Sequence, residues 1–422
     1  LYPFRARRDI LPRPSPEGFR VHDVLRPLLR ESKSKIFLLV LDGLGGLPDP
    51  ATGRTELETA STPNFDRWAR EGATGLVDPV GPGITPGSGP AHLALFGYDP
   101  VADNVGRGVL SALGAGLELG ARDVAARINF ATRDGGGRIV DRRAGRISSE
   151  EGKRVCAALA KGVRIPGVEL TVVAEKEHRA VVVFRADGLS GNVGDTDPQA
   201  TGVAAPEARA LDGRPESRRT AEVVNDFVAQ ARRLLAAEPA ANELLLRGFA
   251  GWDPPESFRS RFGLSASAIA MYPMYRGLAR LVGMRVLPEA PSIEAEFEAL
   301  PAALAESDFV YLHVKQTDSA GEDGDFLRKA AVIERVDALL PSVDRARPDL
   351  VIVTGDHSTP SLMKSHSWHP VPILFRGGDT YVDDTTEFGE TACRRGALGR
   401  FPSRTILPQA LATVGRLNKF GA

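Results

Sequence analysis

Ser88 stands in "GITPGSGPAHLALFGYDP", between glycines and prolines and just ahead of a run that reads as the first turns of a helix. A serine at so bare a turn can present its Oγ to a ligand, as nucleophile elbows do; the alternative is a serine that caps the helix. Acids close three apolar runs: Asp42 in "KIFLLVLDGLGG", Asp318 in "DFVYLHVKQTD", and Asp356 with His357 in "DLVIVTGDHSTP". Three of the seven histidines, His357, His366 and His369, fall within thirteen residues. Mixed Asp and His donors suit Zn²⁺, Mn²⁺ or Mg²⁺, with oxygen ligands favouring the harder ions. Two such ions a few Å apart hold the attacking and leaving oxygens of an in-line phosphoryl displacement. A serine hydroxyl is a poor nucleophile at pH 7 until coordination to a dication takes its proton. Singly, each residue has an ordinary reading: Asp42 in a turn, Asp318 paired with Lys315 on the surface, His366 and His369 in a solvated loop. Three strand-like runs that end in acids, the last followed by a histidine, point jointly to one site.

Elements must bring these residues together. Continuous apolar runs of this length suit strands of a parallel sheet covered on both faces. Between the last two, "FLRKAAVIERVDALLPSV" sets Phe326, Val332, Ile333, Val336, Leu339 and Leu340 at helical spacing, which makes a βαβ unit. Asp42, Asp318, Asp356 and His357 would then converge at the sheet's carboxyl edge, where α/β proteins bind ligands. The middle of the chain differs. "ELTVVAEKEHRAVVVFRADG" reads as a hairpin and "TAEVVNDFVAQARRLLAAE" as a long amphipathic helix, before "NELLLRGFAG" and "SASAIAMYPMYRGLARLVGM" return to α/β texture. The fold expected is α/β: a core of residues 33–111 and 241–422 with a mostly parallel sheet flanked by helices, interrupted by an inserted α+β lobe at 112–240. Residues 1–32, rich in Arg and Pro, are expected to form a surface extension with a short helix at "VHDVLRPLLRE".

Composition narrows the function classes. The chain has 422 residues, 42% hydrophobic and 25% charged, enough to bury a large core. The net charge is −1, without the long Lys/Arg block of a nucleic-acid arm or a polybasic membrane patch, so neither partner is expected. Two cysteines, Cys156 and Cys393, exclude a disulfide framework and a cysteine-based zinc site, and fit a reducing compartment. With no apolar run of membrane-spanning length, the expectation is a soluble cytoplasmic protein.

With these residues in place the sequence resembles the archaeal-type cofactor-independent phosphoglycerate mutases of the alkaline phosphatase superfamily. The resemblance extends over nearly the whole chain after residue 33. It rests on ordered blocks that include "VLDGLGG", "ASTPNFDRWAREG", "GITPGSGPAHLALFGYDP", "INFATRDGGGRIVDRRAGRI", "DTDP", "HVKQTD" and "TGDHSTP" with "HSWHPVP". It implies an alkaline-phosphatase-like core and two divalent metal ions. The implied reaction interconverts 3-phosphoglycerate and 2-phosphoglycerate through a phosphoserine, without 2,3-bisphosphoglycerate. By position, Asp42, Ser88, Asp356 and His357 match the ligands of one metal, with Ser88 the phosphoryl acceptor. Asp318 and His366 match ligands of the other.

Two positions depart from the family's pattern. Glu322 replaces a histidine four residues after Asp318, and its hard oxygen leans the site toward Mn²⁺ or Mg²⁺ rather than Zn²⁺; His369 is the alternative donor. Gly89-Pro90 stands where the family's motif reads Asp-Thr. The departures leave open a related phosphomutase or phosphatase acting on another small phosphorylated or phosphonylated acid, or a relic that binds a phosphometabolite without turnover. Arg107, Arg127, Arg142, Arg143, Arg146, Arg247 and Lys315 are candidates to grip phosphate and carboxylate. Lys315 and Arg247 stand out because they follow strand-like runs. Asp195 and Asp197 are distinctive without an assigned role. His92, one turn from Ser88, either faces the site or packs in the core, and Cys156 reads as packing. The lobe is expected to close over the core and keep water from the phosphoenzyme.

Overall fold

The computed structural model describes residues 24–103 and 105–421. Most of the N-terminal extension lies outside the described residues. Of its expected helix, the described part is helical at 24–25 and passes into a 3₁₀ turn, Arg26–Leu28, with Pro27 inside it. The chain then extends, Leu29 bridges Leu417, and the Arg30 N–H donates to the Arg416 carbonyl at 3.0 Å.

Thirteen strands form among the described residues, in two sheets. β1 (Ile36–Leu41) and β2 (Ala73–Asp78) begin the core. β3 (Asp123–Arg133), β4 (Ile139–Asp141), β5 (Glu169–Ala174), β6 (Arg179–Arg185) and β7 (Glu243–Gly251) make the second sheet. β8 (Ala266–Ala270), β9 (Arg285–Val286), β10 (Phe309–Val314), β11 (Leu350–Thr354), β12 (Val371–Gly377) and β13 (Gly399–Pro402) complete the core. The core sheet runs β13-β2-β12-β11-β1-β10-β8-β9, parallel except at β12, which is antiparallel to both neighbours. β1, β10 and β11 are buried at every position. Helices cover both their faces, which is why they read as unbroken apolar runs rather than alternating ones. Helix Phe326–Asp337 links β10 to β11 and buries Ile333 and Val336, as its spacing predicts.

The second sheet is antiparallel throughout, in the order β4-β3-β6-β5, with β7 on the other side of β3. β5 and β6 form the expected hairpin around "EKEH". Helix Pro215–Leu234 buries Val224, Phe227, Val228 and Ala231 against this sheet's own core. One boundary needs correction. β7, assigned from the sequence to the core, pairs with β3 from Val124↔Gly251 to Ala131↔Glu243. A buried apolar strand carries no mark of which sheet it joins, so the lobe continues to Gly251. Its other boundary falls inside helix Arg107–Gly114, which packs on both units. A Cβ on Gly108 would come within 2.3 Å of the Ala125 carbonyl in the lobe, and one on Gly277 of the core within 2.3 Å of the Leu110 carbonyl.

Candidate active site

Register places the site. Leu41 pairs with Val314 and Val40 with Thr354, so Asp42, Lys315 and Gly355-Asp356 emerge at one level past the carboxyl edge. Gly43 takes a φ of +63°, and a Cβ there would lie 2.5 Å from Thr359 Oγ1; only glycine lets the chain turn this close beneath Asp318. Gly87 is the N-cap of helix Ser88–Leu95 and no side chain caps it. Ser88 is therefore the first helical residue rather than the cap, and its Oγ lies 3.4 Å from His357 Nε2.

Hydrogen bonds fix how the donors face. Thr359 Oγ1 donates to Asp318 Oδ1 at 2.7 Å and lies 2.9 Å from His357 Nδ1. With its one proton on Asp318, Thr359 accepts from His357 Nδ1–H, and His357 Nε2 keeps a bare lone pair. That lone pair lies 3.3 Å from Asp42 Oδ1 and 3.2 Å from Asp356 Oδ2, two buried oxygens without a hydrogen-bond partner. Two carboxylates and an imidazole nitrogen thus converge, an arrangement that a divalent cation relieves. Asp42 Oδ2 is already engaged by the Tyr275 hydroxyl, by Lys315 Nζ at 3.0 Å and by His313 Nε2 at 3.4 Å.

A second donor group adjoins the first. Ligand atoms of Asp318, His357 and His366 lie within 4.8 Å of one another, as do those of Asp42, Asp356 and His357. His366 Nδ1–H donates to the Pro86 carbonyl at 3.0 Å, which leaves Nε2 free 3.6 Å from Asp318 Oδ1. The His357 and His366 rings stack at 3.6 Å. His357 therefore faces both groups, whereas the motif assigned it to one. Asp318 does pair with Lys315, but buried at the site rather than on the surface.

Charge is out of balance here. Burial pushes the Asp42 carboxyl up, but the Lys315 ammonium and His313 together hold it well below the usual range. Burial and the Asp42 charge push Asp356 well above it. Two buried carboxylates this close cannot both ionise without added positive charge, and burial holds His357 neutral. His92 is fully buried, donates from Nδ1 to the Ser88 carbonyl at 2.9 Å, and is pushed down to about 4 by burial. It both packs in the core and abuts Asp356, at 3.2 Å.

A cavity of about 1040 Å³ opens in front of Ser88, between the core edge and the lobe. Arg107, Arg127 and Lys315 line it, as do Asp318, Glu322 and His366. Arg142, Arg143 and Arg247 are not among its lining residues, nor is Arg146. Acids account for two of these: Arg142 forks onto Asp197 at 3.0 and 2.7 Å, and Arg247 lies 3.4 Å from Asp197 and 3.9 Å from Asp195. Arg143 and Arg146 flank an exposed turn after β4. Asp195 and Asp197, without a role in the sequence, tie arginines and the Gly248 N–H. Glu322 is half exposed, 3.9 Å from His366 Nε2 and outside both donor groups. His369 turns away: its Nδ1 lies 3.1 Å from Ser367 Oγ, its ring stacks on Trp368, and it belongs to neither group. Cys156 is buried packing, with its thiol pushed up to about 12 by burial.

Several residues here have no sequence signal. Tyr275, His313 and Thr359 act on the donors through contacts between distant segments. Glu175, Lys176 and Arg179 line the cavity from the β5–β6 hairpin, which the sequence marks only as a turn.

Fold and site together define a two-part α/β enzyme, with a serine beside a cation-ready donor cluster and a lobe across the opening. Comparison with known proteins is consistent along the chain. A family model described as 2,3-bisphosphoglycerate-independent phosphoglycerate mutase matches residues 69–241. The Thermus thermophilus protein named "Probable 2,3-bisphosphoglycerate-independent phosphoglycerate mutase" is 49% identical over 403 residues, covering 94% of this chain and 99% of its own. A Deinococcus radiodurans protein of the same name is 48% identical, covering 95% and 99%. Among solved structures, PH0037 from Pyrococcus horikoshii has a TM-score of 0.79 at 32% identity, covering 92% of this chain and 99% of its own. The cofactor-independent phosphoglycerate mutase from Thermoplasma acidophilum has a TM-score of 0.69 at 30% identity, covering 90% and 100%. The chain belongs to the 2,3-bisphosphoglycerate-independent phosphoglycerate mutase family, and it is an isomerase. Among the described residues no helix is long and apolar enough to cross a membrane.

Proposed function

We propose that the protein interconverts 3-phosphoglycerate and 2-phosphoglycerate without a bisphosphoglycerate cofactor, through a phosphoserine at Ser88 beside two divalent cations. The observation that carries this reading is the meeting of Ser88 Oγ, at the cavity wall, with His357 Nε2 and the partnerless oxygens of Asp42 and Asp356, which are fully buried next to it. Asp42, Asp356, His357 and Ser88 would hold one cation, and Asp318, His366 and His357 would lie against the other. Mn²⁺ or Mg²⁺ suits the first set, with three oxygen donors; the second offers one carboxylate and two imidazoles, and Glu322, 3.9 Å from His366 Nε2, would be the acid to add a second carboxylate. Bound there, the cations supply charge to the phosphoryl oxygens and lower the pKa of the serine hydroxyl.

Ser88 Oγ gives up its proton as it attacks phosphorus, and the bond to the glycerate oxygen breaks as that oxygen takes a proton. The glycerate turns within the cavity. Its other hydroxyl then loses a proton and attacks the phosphoserine, and Ser88 Oγ recovers a proton as its bond to phosphorus breaks. Arg107, Arg127 and Arg179 line the cavity and hold phosphate and carboxylate through this turn, since such transfers depend mainly on position and charge. Arg127 is suited to it, because its buried Nε makes no hydrogen bond and meets Glu175 Oε2 only at 3.6 Å. The lobe shields the phosphoserine from water, which separates a mutase from a phosphatase.

A coupled assay from 3-phosphoglycerate through enolase and pyruvate kinase, with Mn²⁺ and no bisphosphoglycerate, tests the reaction. Pyruvate formation supports it. Release of free phosphate in its place would make the protein a phosphatase. Mass spectrometry of acid-quenched enzyme should find the phosphate on Ser88, and turnover by Ser88→Ala would overturn the intermediate.

A further inference from the structure

Behind the donor cluster, away from the cavity, lies a lysine that the reaction does not use. Lys329 sits on helix Phe326–Asp337 and is completely buried. Its Nζ donates to the Gly45 carbonyl at 3.0 Å and to the Thr359 carbonyl at 2.9 Å. Its nearest acid, Glu56, is equally buried, with Oε1 4.0 Å away and accepting the Ser361 N–H at 2.7 Å. A buried ion pair of this kind is a poor source of stability, because desolvation offsets the attraction. What it does fix is geometry.

The two carbonyls belong to different ligand-bearing loops. Gly45 lies three residues after Asp42, and Thr359 two residues after His357. The loops are also joined directly, since the Thr359 N–H donates to the Gly45 carbonyl at 3.0 Å. Thr359 carries the hydroxyl that sets the His357 tautomer and binds Asp318. On the other side, Gly321 approaches so closely that a Cβ there would meet the Thr359 carbonyl at 2.3 Å. Moving Thr359 therefore moves His357 and Asp318, one residue from each donor group.

We propose that Lys329 is a positioning residue: its ammonium clamps the loops after β1 and β11 together and thereby sets the spacing between the two cation sites. The assignment rests on the metal-dependent reading above. It predicts that neutralising the clamp loosens cation binding even where the fold is intact.

The test uses the full chain carrying Lys329→Met together with Glu56→Gln. This exchange removes both buried charges and keeps an acceptor for the Ser361 N–H, so that the protein folds. Thermal melting and near-ultraviolet circular dichroism report the fold. Mn²⁺ titration and the visible absorption of the Co²⁺-loaded protein report the site. The expected result is a native-like melt with Mn²⁺ binding weakened about 10- to 100-fold, the range seen when outer-shell partners of a metal are lost, and a shifted Co²⁺ band. Wild-type Mn²⁺ affinity and an unchanged band in the double variant would overturn the clamp while leaving the metal reading standing. Failure of the unaltered protein to bind Mn²⁺ or Co²⁺ would overturn both. Lys329→Met alone separates the roles further: a purely structural lysine would lower the melting temperature and leave the Co²⁺ band at saturation in place, and that result too would overturn the clamp.

Discussion

The core edge and the lobe treat buried acids in opposite ways. In the lobe, Asp123, Asp197 and Glu243 are buried, and each is held by an arginine: Arg185 at 2.6 and 2.8 Å, Arg142 at 3.0 and 2.7 Å, Arg232 at 2.9 Å to both oxygens. At the core edge, Asp42 Oδ1 and Asp356 Oδ2 are buried with no hydrogen-bond partner. A satisfied acid fixes one conformation and needs nothing further. An acid left short of positive charge destabilises the protein until something supplies it. In the lobe, Arg127 is a buried cation at the cavity wall whose Nε makes no hydrogen bond and meets an acid, Glu175 Oε2, only at 3.6 Å. Carboxylate oxygens without hydrogen bonds on one side and a loosely paired guanidinium on the other suit a site that takes cations from the core and an anion from the lobe.

The largest effect expected is at Ser88, the proposed nucleophile. Ser88→Ala should lower mutase turnover on the order of 10⁴-fold or more, as loss of a covalent nucleophile does elsewhere, with little change in melting temperature. The next test sets one acid against another. Asp356→Asn should stabilise the cation-free protein and largely abolish the rise in melting temperature on adding Mn²⁺, a rise worth about 2.7 kcal/mol at a concentration 100-fold above Kd. Asp197→Asn in the lobe should do the reverse. It should lose about 1–3 kcal/mol of stability by leaving Arg142 unmatched and retain the Mn²⁺ response. Equal responses would break the contrast between the two regions.

The same contrast explains what the sequence makes legible. Asp42, Asp356 and His357 could be placed because each follows a continuous apolar run, and parallel strands in register carry their ends to one edge; Asp318 reaches the same edge from the first turn of helix Gln316–Asp323, just past β10. Ser88 was readable from its glycines, though its role as first helical residue rather than cap depends on Gly87. The arginines were not separable. Whether one faces the cavity or a carboxylate is decided by antiparallel pairing and by the loop carrying Asp195 and Asp197, neither of which leaves a local pattern. Arg127 and Arg247 are directly paired across β3 and β7, yet only Arg127 lines the cavity. The lobe's boundary failed similarly, since β7 has the composition of a core strand. Hairpin residues Glu175, Lys176 and Arg179 were visible as a turn, and only the docking of the lobe makes them part of the site.

Arg127 and Arg142 sharpen this point kinetically. Arg127→Ala should raise KM for 3-phosphoglycerate about 10- to 100-fold, the loss of one or two charged hydrogen bonds to an anion. Arg142→Ala should leave KM near its original value and lower the melting temperature, because its partner is Asp197. A KM effect at Arg142 would mean that the Asp197 pair opens to admit substrate.

The smallest effect tests whether an unmatched acid always marks a ligand. Glu296, on helix Ile293–Glu298, is fully buried and neither carboxylate oxygen has a hydrogen-bond partner, yet it does not line the cavity. Its remedy is a proton: burial pushes it up to about 8, against a weak opposing pull from the Met271 backbone. In the unfolded chain a glutamate releases that proton near pH 4.3. The folded state therefore holds one more proton than the unfolded state between these values, and Glu296 lowers stability as pH rises from about 4.3 through about 8. Glu296→Gln removes the titration. Its melting temperature should match the original protein most closely below about pH 4, where Glu296 is protonated in both states, and exceed it by a few degrees above pH 8. A difference that does not grow with pH would mean that an unseen partner compensates the ionised carboxylate. Glu296 would then belong with Asp42 and Asp356 as a group awaiting a ligand.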